Sequence, residues 1–512
     1  MSTVPIIRCS RSFRGVTRRA QCFSSTHMRL QSTVAENNNG GPTSIDSTGG
    51  MSKPVEDPKR RLKRLREPRT PELNKVIGKE QLDKSRETRP SLRKPNNELK
   101  ALYGHQRILN STVRGPLRVR KDVTTQLAPD SANVSVEDNK VVVGGKTVPN
   151  IWLRDNCHCS SCMHEATKQR LQDTFAIPKD LSIKSASLAK STDGGEKEIE
   201  IVWSDDHASK YTRSFLAQAA RTYEKRSIVR QGLTDIQLWD SSIASNPPSR
   251  PFFKEQVPRG PLEDIRKYGF CYVDGTPFDS PVSTEALLRR IAFIRETHYG
   301  GFYDFTADLA SKDTAYTNIA LEAHTDNTYF SDPAGLQAFH LLSHTHGSGG
   351  ASLLVDGFKV ADELLQQDRE AYQILSTVNV HAHASGNEGI SIQPYRGFPV
   401  LEHDPSTGDL LRVRWNSSDR ASIELPIDEV GVWYEAARKF DALLKKKENE
   451  YWAQLTPGRV LIFDNWRVLH GRSAFTGKRR ICGGYINRDD WMSRLKMHKY
   501  GQTVVMGSLA SS

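Results

Sequence analysis

Two groups of residues in this chain have the types and spacing to hold a metal. The first is Cys157-His-Cys159-Ser-Ser-Cys162, three thiols within six residues. Thiolates are soft ligands, suited to a tetrahedral zinc site or an iron–sulfur cluster. A structural zinc needs a fourth ligand, and His158, His164 and His207 are the candidates. His158 lies between two thiols, so its ring would point away from a metal that both hold. His207 follows a strand-like run ending at Trp203 and would return to the thiols from a paired strand. Four protein ligands leave no open coordination position, which argues against a catalytic zinc.

The second group is His324-Thr-Asp326 with His470, which lies 144 residues after Asp326. Two imidazoles and one carboxylate make the facial triad of non-haem iron(II) oxygenases. It leaves adjacent positions open for a bidentate cosubstrate and O2. Arg479 follows His470 by nine residues and stands at a strand-like segment. An arginine one strand away from the distal histidine offers a planar fork for a dicarboxylate.

These side chains need a scaffold. The 512 residues suffice for two or three domains, but at 37% apolar content part of the chain is expected not to pack into a core. The net charge of +12 is unevenly placed. Residues 1–122 carry 27 Lys and Arg against 11 Asp and Glu, and the remainder carries 45 against 49. The body is slightly acidic, so the global charge gives no case for nucleic-acid binding. No uninterrupted apolar run reaches the ~18 residues of a membrane-spanning helix, and seven cysteines in this length do not suit a disulfide-stapled scaffold.

Residues 1–36 read as a mitochondrial transit peptide. The first 35 contain six arginines, many Ser and Thr, and neither Lys, Asp nor Glu. Residues 37–122 read as a basic linker of low order. From 123 to 245, short runs at 134–136, 141–143 and 199–203 rich in β-branched residues predict a small β module, with a helix over 214–225. From 250 to 500, strands are predicted at 270–273, 336–342, 351–355, 377–382, 410–415, 459–463 and 481–486. Helices are predicted at 262–268, 284–294 and 429–447. Many short strands separated by turn residues suggest a barrel or sandwich.

The order His324-x-Asp326, His470, Arg479 resembles the 2-oxoglutarate-dependent iron(II) oxygenases of the taurine-dioxygenase type. The segment Trp152-Leu-Arg-Asp-Asn-Cys157-x-Cys159-x-x-Cys162 ahead of it narrows the likeness. That pairing resembles the γ-butyrobetaine/trimethyllysine hydroxylase family of carnitine biosynthesis, over about residues 130–500. Glu296-Thr-His-Tyr299-Gly-Gly-Phe-Tyr303, Asp313-Thr-Ala-Tyr316, Leu353-Leu-Val-Asp-Gly-Phe358 and Asp464-Asn-Trp-Arg-Val-Leu-His470-Gly-Arg472 look like the trimethyllysine branch.

The resemblance implies a mainly β fold, a double-stranded β-helix (jelly-roll) with flanking helices, preceded by a small zinc-binding β domain in which His207 is the fourth ligand. It implies iron(II) on His324, Asp326 and His470, and 2-oxoglutarate on Arg479 with Ser352 adding a hydroxyl. Ascorbate is the implied reductant, and a homodimer in the mitochondrial matrix the implied assembly and place. The implied reaction hydroxylates free N6,N6,N6-trimethyllysine at carbon 3, a small-molecule substrate, using O2 and 2-oxoglutarate. A trimethylammonium cannot donate hydrogen bonds and is best held by aromatic faces; Tyr299, Tyr303, Tyr316 and Tyr485 match the family's cage. Position 303 departs from the tryptophan usual there. Asp313 matches the contact to the α-ammonium, where γ-butyrobetaine enzymes carry asparagine, and Asn416 matches a second polar contact. The alternatives are γ-butyrobetaine hydroxylation and a binding protein with vestigial sites; the complete triad with Arg479 argues against the latter.

Overall fold

The computed structural model describes residues 115, 133–137, 139–189, 198–219, 236–252, 258–306, 317–386, 388–405 and 408–507. The expected transit peptide and nearly all of the linker lie outside these residues, as do Asp313 and Tyr316.

Among the described residues the N-terminal module has six strands: β1 (Val134–Glu137), β2 (Lys140–Val143), β3 (Lys146–Val148), β4 (Ile183–Ala189), β5 (Glu198–Trp203) and β6 (Ala208–Thr212). They form two three-stranded antiparallel sheets, β1-β2-β3 and β4-β5-β6. β5 shows why the segment folds as it does. Glu-Ile-Glu-Ile-Val-Trp alternates, and Ile199, Ile201 and Trp203 are fully buried on one face. With Val141, Val143, Leu153 and Leu216 they make a core whose buried members all lie between 134 and 216. The predicted helix over 214–225 appears as Arg213–Ala219; residues 220–225 lie outside the described part.

Among the described residues the C-terminal part has twelve strands: β7 (Ser249–Pro251), β8 (Phe270–Asp274), β9 (Tyr303–Thr306), β10 (Leu321–His324), β11 (Leu336–Thr345), β12 (Ser352–Asp356), β13 (Leu401–His403), β14 (Leu410–Val413), β15 (Tyr451–Ala453), β16 (Arg459–Asp464), β17 (Val468–Arg472) and β18 (Lys478–Ile486). One sheet runs β7-β8-β16-β11-β18-β9 and another β10-β17-β12-β15; β13 and β14 form a ribbon. β7 and β8 are parallel, so the larger sheet is mixed. Helices Arg259–Tyr268 and Val282–Ile291 pack with the larger sheet, and helices Gly357–Gln367, Arg369–Thr377 and Val430–Leu444 build a second core. The last of these buries Trp433, Ala436, Ala437, Phe440, Leu443 and Leu444, one stripe at helical spacing. Trp239 belongs to this part. Its ring meets Phe270 edge-on at 5.2 Å, and its backbone N–H donates to Asp356 at 3.1 Å.

Residues 377–382 were expected as a strand and are not one. Helix Arg369–Thr377, capped by Asp368 on the N–H of Ala371 at 2.9 Å, reaches into the segment. Val380 and Ala382 then make single bridges to Phe398 and Arg420. The β-branched run suits an extended chain, but its partners are isolated loop residues rather than a strand.

Candidate active site

β10 and β17 run antiparallel with His324 directly opposite His470. Their ring centroids are 4.3 Å apart. Asp326 follows two residues after the end of β10 and turns its carboxylate to both rings. Its Oδ1 lies 3.3 Å from His324 Nε2 and 3.9 Å from His470 Nε2. One ligand atom from each residue falls within 4.8 Å of the others. His324 Nδ1–H donates to the Glu322 carbonyl at 2.8 Å, which leaves Nε2 for the shared centre.

The carboxylate is held from behind. Gln337 Nε2 donates to Asp326 Oδ2 at 2.7 Å and Tyr485 Oη–H at 2.6 Å. The Asn465 amide bridges the same residue, accepting from the Asp326 N–H at 2.8 Å and donating to its carbonyl at 3.0 Å. Burial alone would raise the Asp326 carboxyl, but His470 and His324 hold it well below the usual carboxylate range. Burial and the charge of His324 push His470 down to about 3. His324 is raised: burial opposes the shift, and the bond to Asp326 outweighs it. At neutral pH the Asp326 carboxylate and the neutral His470 imidazole therefore face the centre.

The motif around His470 supplies this frame. Arg467 is fully buried and donates to Asp356 at 2.7 and 3.0 Å. Asp356 also caps helix Gly357–Gln367 through the Phe358 N–H at 3.1 Å. Trp466 Nε1–H donates to the Pro333 carbonyl at 3.0 Å, and Asp464 accepts from Arg488 at 2.6 Å.

The triad opens into a cavity of about 360 Å³ that takes walls from both large sheets, β9, β11 and β18 of one and β10, β12 and β17 of the other. Arg479 lines it from β18, and Ser352 from β12. Arg479 is 3% exposed and its Nε has no hydrogen-bond partner. Burial and nearby Arg472 lower its pKa to about 10, so it stays cationic at neutral pH. A buried cation with an orphaned donor fits an anionic ligand that reaches it through the cavity. Gly350, at φ +71°, makes the room: a Cβ there would sit 3.3 Å from Arg479 Cζ. Arg472 is turned elsewhere, donating to the carbonyls of Thr317 and Ile319 at 2.7 and 3.1 Å.

At this point the comparisons with known proteins decide the family. Residues 253–485 match the model of the taurine catabolism dioxygenase TauD, TfdA family, and residues 126–217 match the N-terminal model of gamma-butyrobetaine hydroxylase-like proteins. A trimethyllysine dioxygenase of Neurospora crassa is 44% identical, covering 78% of this chain and 90% of its own. The human mitochondrial trimethyllysine dioxygenase is 38% identical over 68% of this chain and 82% of its own. A gamma-butyrobetaine dioxygenase of Pongo abelii stands at 30%, over 68% and 90%.

The chain belongs to the trimethyllysine dioxygenase family.

As a member it is a 2-oxoglutarate-dependent dioxygenase with the TauD-like fold, mixed sheets flanked by helices. Three of the four tyrosines expected as a cage can be placed. Tyr299, Tyr303 and Tyr485 line the cavity with Phe305, Tyr329 and Phe339. Tyr303 and Tyr485 meet edge to face at 6.0 Å. The tyrosine at 303 has a local cause: its Oη–H donates to the Ala338 carbonyl at 2.8 Å. Gly483 beside it leaves the space, since a Cβ would lie 2.8 Å from that phenol oxygen. Tyr485 serves twice, with its ring in the wall and its hydroxyl on Asp326. Asn416 also lines the cavity, but both ends of its amide are used locally: Nδ2 donates to Asp419 at 2.8 Å and Oδ1 accepts from the Ser418 N–H at 3.0 Å.

Sequence reasoning missed Tyr329, Gln337 and Asn465. Tyr329 is buried three residues past Asp326, its hydroxyl 3.5 Å from that of Tyr299. Position in the His-Thr-Asp-Asn-Thr-Tyr run was an available signal for it. Gln337 and Asn465 had none, because register and turn geometry bring them to Asp326.

In the N-terminal module, His207 Nε2 lies 3.4, 3.7 and 3.5 Å from the sulfurs of Cys157, Cys159 and Cys162. Zinc–sulfur and zinc–nitrogen bonds at the tetrahedral angle give edges of about 3.5 Å, so the donor set fits the ion. His207 is held by the Asp205 carboxylate, which accepts its N–H at 3.1 Å and the Nε–H of Arg154 at 3.0 Å. His158 instead sets its ring edge-on to Phe215 at 5.2 Å, and His164 accepts from the Thr167 N–H at 3.2 Å.

Proposed function

We infer that the protein hydroxylates free trimethyllysine at carbon 3, the first step of carnitine biosynthesis, converting O2 and 2-oxoglutarate to succinate and CO2. The observation that supports this best is the meeting, in one cavity, of the His324–Asp326–His470 centre, the buried cation Arg479 and an aromatic wall. The relatives named trimethyllysine dioxygenase are also more similar than the gamma-butyrobetaine dioxygenase.

His324, Asp326 and His470 would hold iron(II), and Arg479 with Ser352 the distal carboxylate of 2-oxoglutarate. Iron with 2-oxoglutarate supplies the O2 activation and the oxidative decarboxylation. The chain's own work is placement. Gln337, Tyr485 and Asn465 fix the Asp326 carboxylate so that one oxygen faces the imidazoles. Tyr299, Tyr303, Tyr485 and, by sequence position, Tyr316 offer π faces to the trimethylammonium. The wall excludes water from the reacting end. The deciding assay supplies iron(II), 2-oxoglutarate and ascorbate and follows succinate and the hydroxylated product on trimethyllysine and on γ-butyrobetaine. Trimethyllysine is expected to give the larger kcat/KM; preference for γ-butyrobetaine would reverse the assignment.

Asp313 remains the sequence-based choice for one contact to the α-ammonium. Asp313→Asn is expected to lower the trimethyllysine to γ-butyrobetaine ratio of kcat/KM by about one to two decades. An unmoved ratio would remove it from the site.

The thiol cluster with His207 is assigned to a structural zinc that staples the small module, whose core lies between residues 134 and 216, ahead of a catalytic domain with which Trp239 already packs. Cys159→Ser is expected to lose that zinc and to lower the module's melting temperature by about 5 °C or more. Zinc content measured on the folded wild-type protein is the check; finding none, or an iron–sulfur chromophore, refutes the assignment. Among the described residues no helix is long and apolar enough to cross a membrane. The mammalian relatives are named mitochondrial. With the arginine-rich start of this sequence, that supports a matrix location; the homodimer rests on family resemblance.

A further inference from the structure

The chain on both sides of Asp326 is gripped by one short segment. β14 ends at Val413, and the next two residues, Arg414 and Trp415, take hold of the turn that carries the carboxylate. On the near side, the Thr325 N–H donates to the Trp415 carbonyl at 2.8 Å, and the Trp415 N–H returns to Thr325 Oγ1 at 2.9 Å. On the far side, the Arg414 guanidinium donates to the carbonyls of Thr328, Phe330 and Ser331 at 3.3, 2.9 and 2.8 Å. Its Nε–H goes to Glu402 at 3.1 Å, and its Cζ lies 3.9 Å from the centre of the Phe398 ring.

The turn needs such support. Asn327 has φ +62°, in the left-handed region, a conformation that persists only where the surroundings impose it. Two residues on, Tyr329 is buried, lines the cavity and brings its hydroxyl to 3.5 Å from that of Tyr299. Thr328 and Phe330 flank it directly, and their carbonyls share Nη1 of Arg414. Asp326 has supports of its own, since Asn465 bridges its backbone and Gln337 and Tyr485 hold its carboxylate. The grip of Arg414 therefore falls on Tyr329 rather than on the metal ligand.

Arg414 stands behind the wall and does not itself line the cavity. Burial and nearby Arg412 lower its pKa to about 10, so it is a cation at neutral pH. A buried ion pair is a weak source of stability. What the guanidinium provides is a rigid planar fork, spent here on one loop. We propose that Arg414 is a positioning residue for the hydroxylation: by fixing residues 328–331 it sets the Tyr329 ring beside Tyr299, and with it the resting place of the substrate's trimethylammonium end relative to the metal centre. The proposal deepens the substrate assignment above and rests on it. A cation held by aromatic faces follows those faces, so a displaced Tyr329 changes which carbon is presented to the metal centre. A misplacement of about 1 Å can cost about a hundredfold in rate.

The test uses the full chain with Arg414→Lys, Tyr329→Leu and the double variant. Lysine keeps the charge and loses the fork. On protein loaded with manganese(II) and 2-oxoglutarate, which does not turn over, Arg414→Lys is expected to raise the Kd for trimethyllysine by about tenfold or more, with the Kd for 2-oxoglutarate within about twofold of wild type. In the iron enzyme, hydroxylated product per succinate is expected to fall to about half or less of the wild-type value. A merely structural role would weaken both ligands together and leave that product ratio intact. Tyr329→Leu is expected to show the same split, and the double variant to be no worse than Tyr329→Leu alone, because Arg414 acts through that ring. Wild-type affinity and product ratio in Tyr329→Leu overturn the proposal, even where Arg414→Lys does not fold. An unmoved product ratio in folded Arg414→Lys, or additive losses in the double variant, overturn it as well. A wild type that hydroxylates γ-butyrobetaine instead of trimethyllysine counts against the substrate alone, and the same constants are then read on γ-butyrobetaine, which brings the same trimethylammonium to the wall.

Discussion

Asp326→Ala is expected to abolish turnover, by more than about a thousandfold in kcat/KM, while the fold persists. The side chain is the one anion between two imidazoles, with Oδ1 at 3.3 and 3.9 Å from their Nε2 atoms. Its removal leaves two neutral ligands for a divalent ion, and iron retained after desalting should fall with activity. Secondary damage is limited in an informative way. Asn465 contacts the backbone of residue 326 rather than its side chain, so the turn after β10 keeps its anchor. Gln337 and Tyr485 lose their acceptor but still meet each other at 3.2 Å. Tyr485→Phe provides the graded case: it deletes one of two donors to Oδ2 and should weaken iron retention by about tenfold. Full activity in Asp326→Ala would remove this residue from the metal site.

The chemistry of this site was readable in the sequence because it depends on residue type and order. His324, Asp326, His470 and Arg479 stand out as a set, and the three thiols as another, before any strand is drawn; the structure brings the first three together and gathers the thiols around His207. The strands whose side chains follow a strict pattern were readable too, such as β5 with its alternating Ile199, Ile201 and Trp203. What escaped depends on tertiary register. Gln337 reaches Asp326 because β11 lies beside β18, where Gln337 stands opposite Tyr485. β10 and β17, the strands that carry His324 and His470, are short and poorly patterned, and neither was foreseen. β10 owes its place to pairing with β17 rather than to its own composition. The run at 377–382 failed in the opposite way, having strand-like composition but no strand to join. Asn416 illustrates a limit of motif matching. Its position was legible, but whether its amide faces a ligand or a neighbouring carboxylate depends on the turn it sits in.

Arg479→Ala is expected to raise the KM for 2-oxoglutarate by about two to four decades, with a smaller change in kcat at saturation. The guanidinium is buried, cationic at neutral pH and retains an unpartnered Nε. Two charge-assisted hydrogen bonds to a carboxylate, each worth about 1.5–3 kcal/mol, convert to that range. The loss falls on binding because the contact is far from the oxidised carbon and is made equally before and during the reaction. Arg479→Lys separates charge from shape. Lysine returns a point charge without the planar fork, so it should recover part of the affinity and not all of it. The substitution also predicts a change in cosubstrate preference. With the cation gone, a 2-oxo acid lacking the distal carboxylate no longer suffers a disadvantage. The ratio of KM values for 2-oxoglutarate and 2-oxobutanoate should therefore move toward one in Arg479→Ala. A KM for 2-oxoglutarate that stays at the wild-type value would mean that this arginine holds the β18 wall, packed on Phe475 at 5.5 Å, and that the dicarboxylate is bound elsewhere in the cavity.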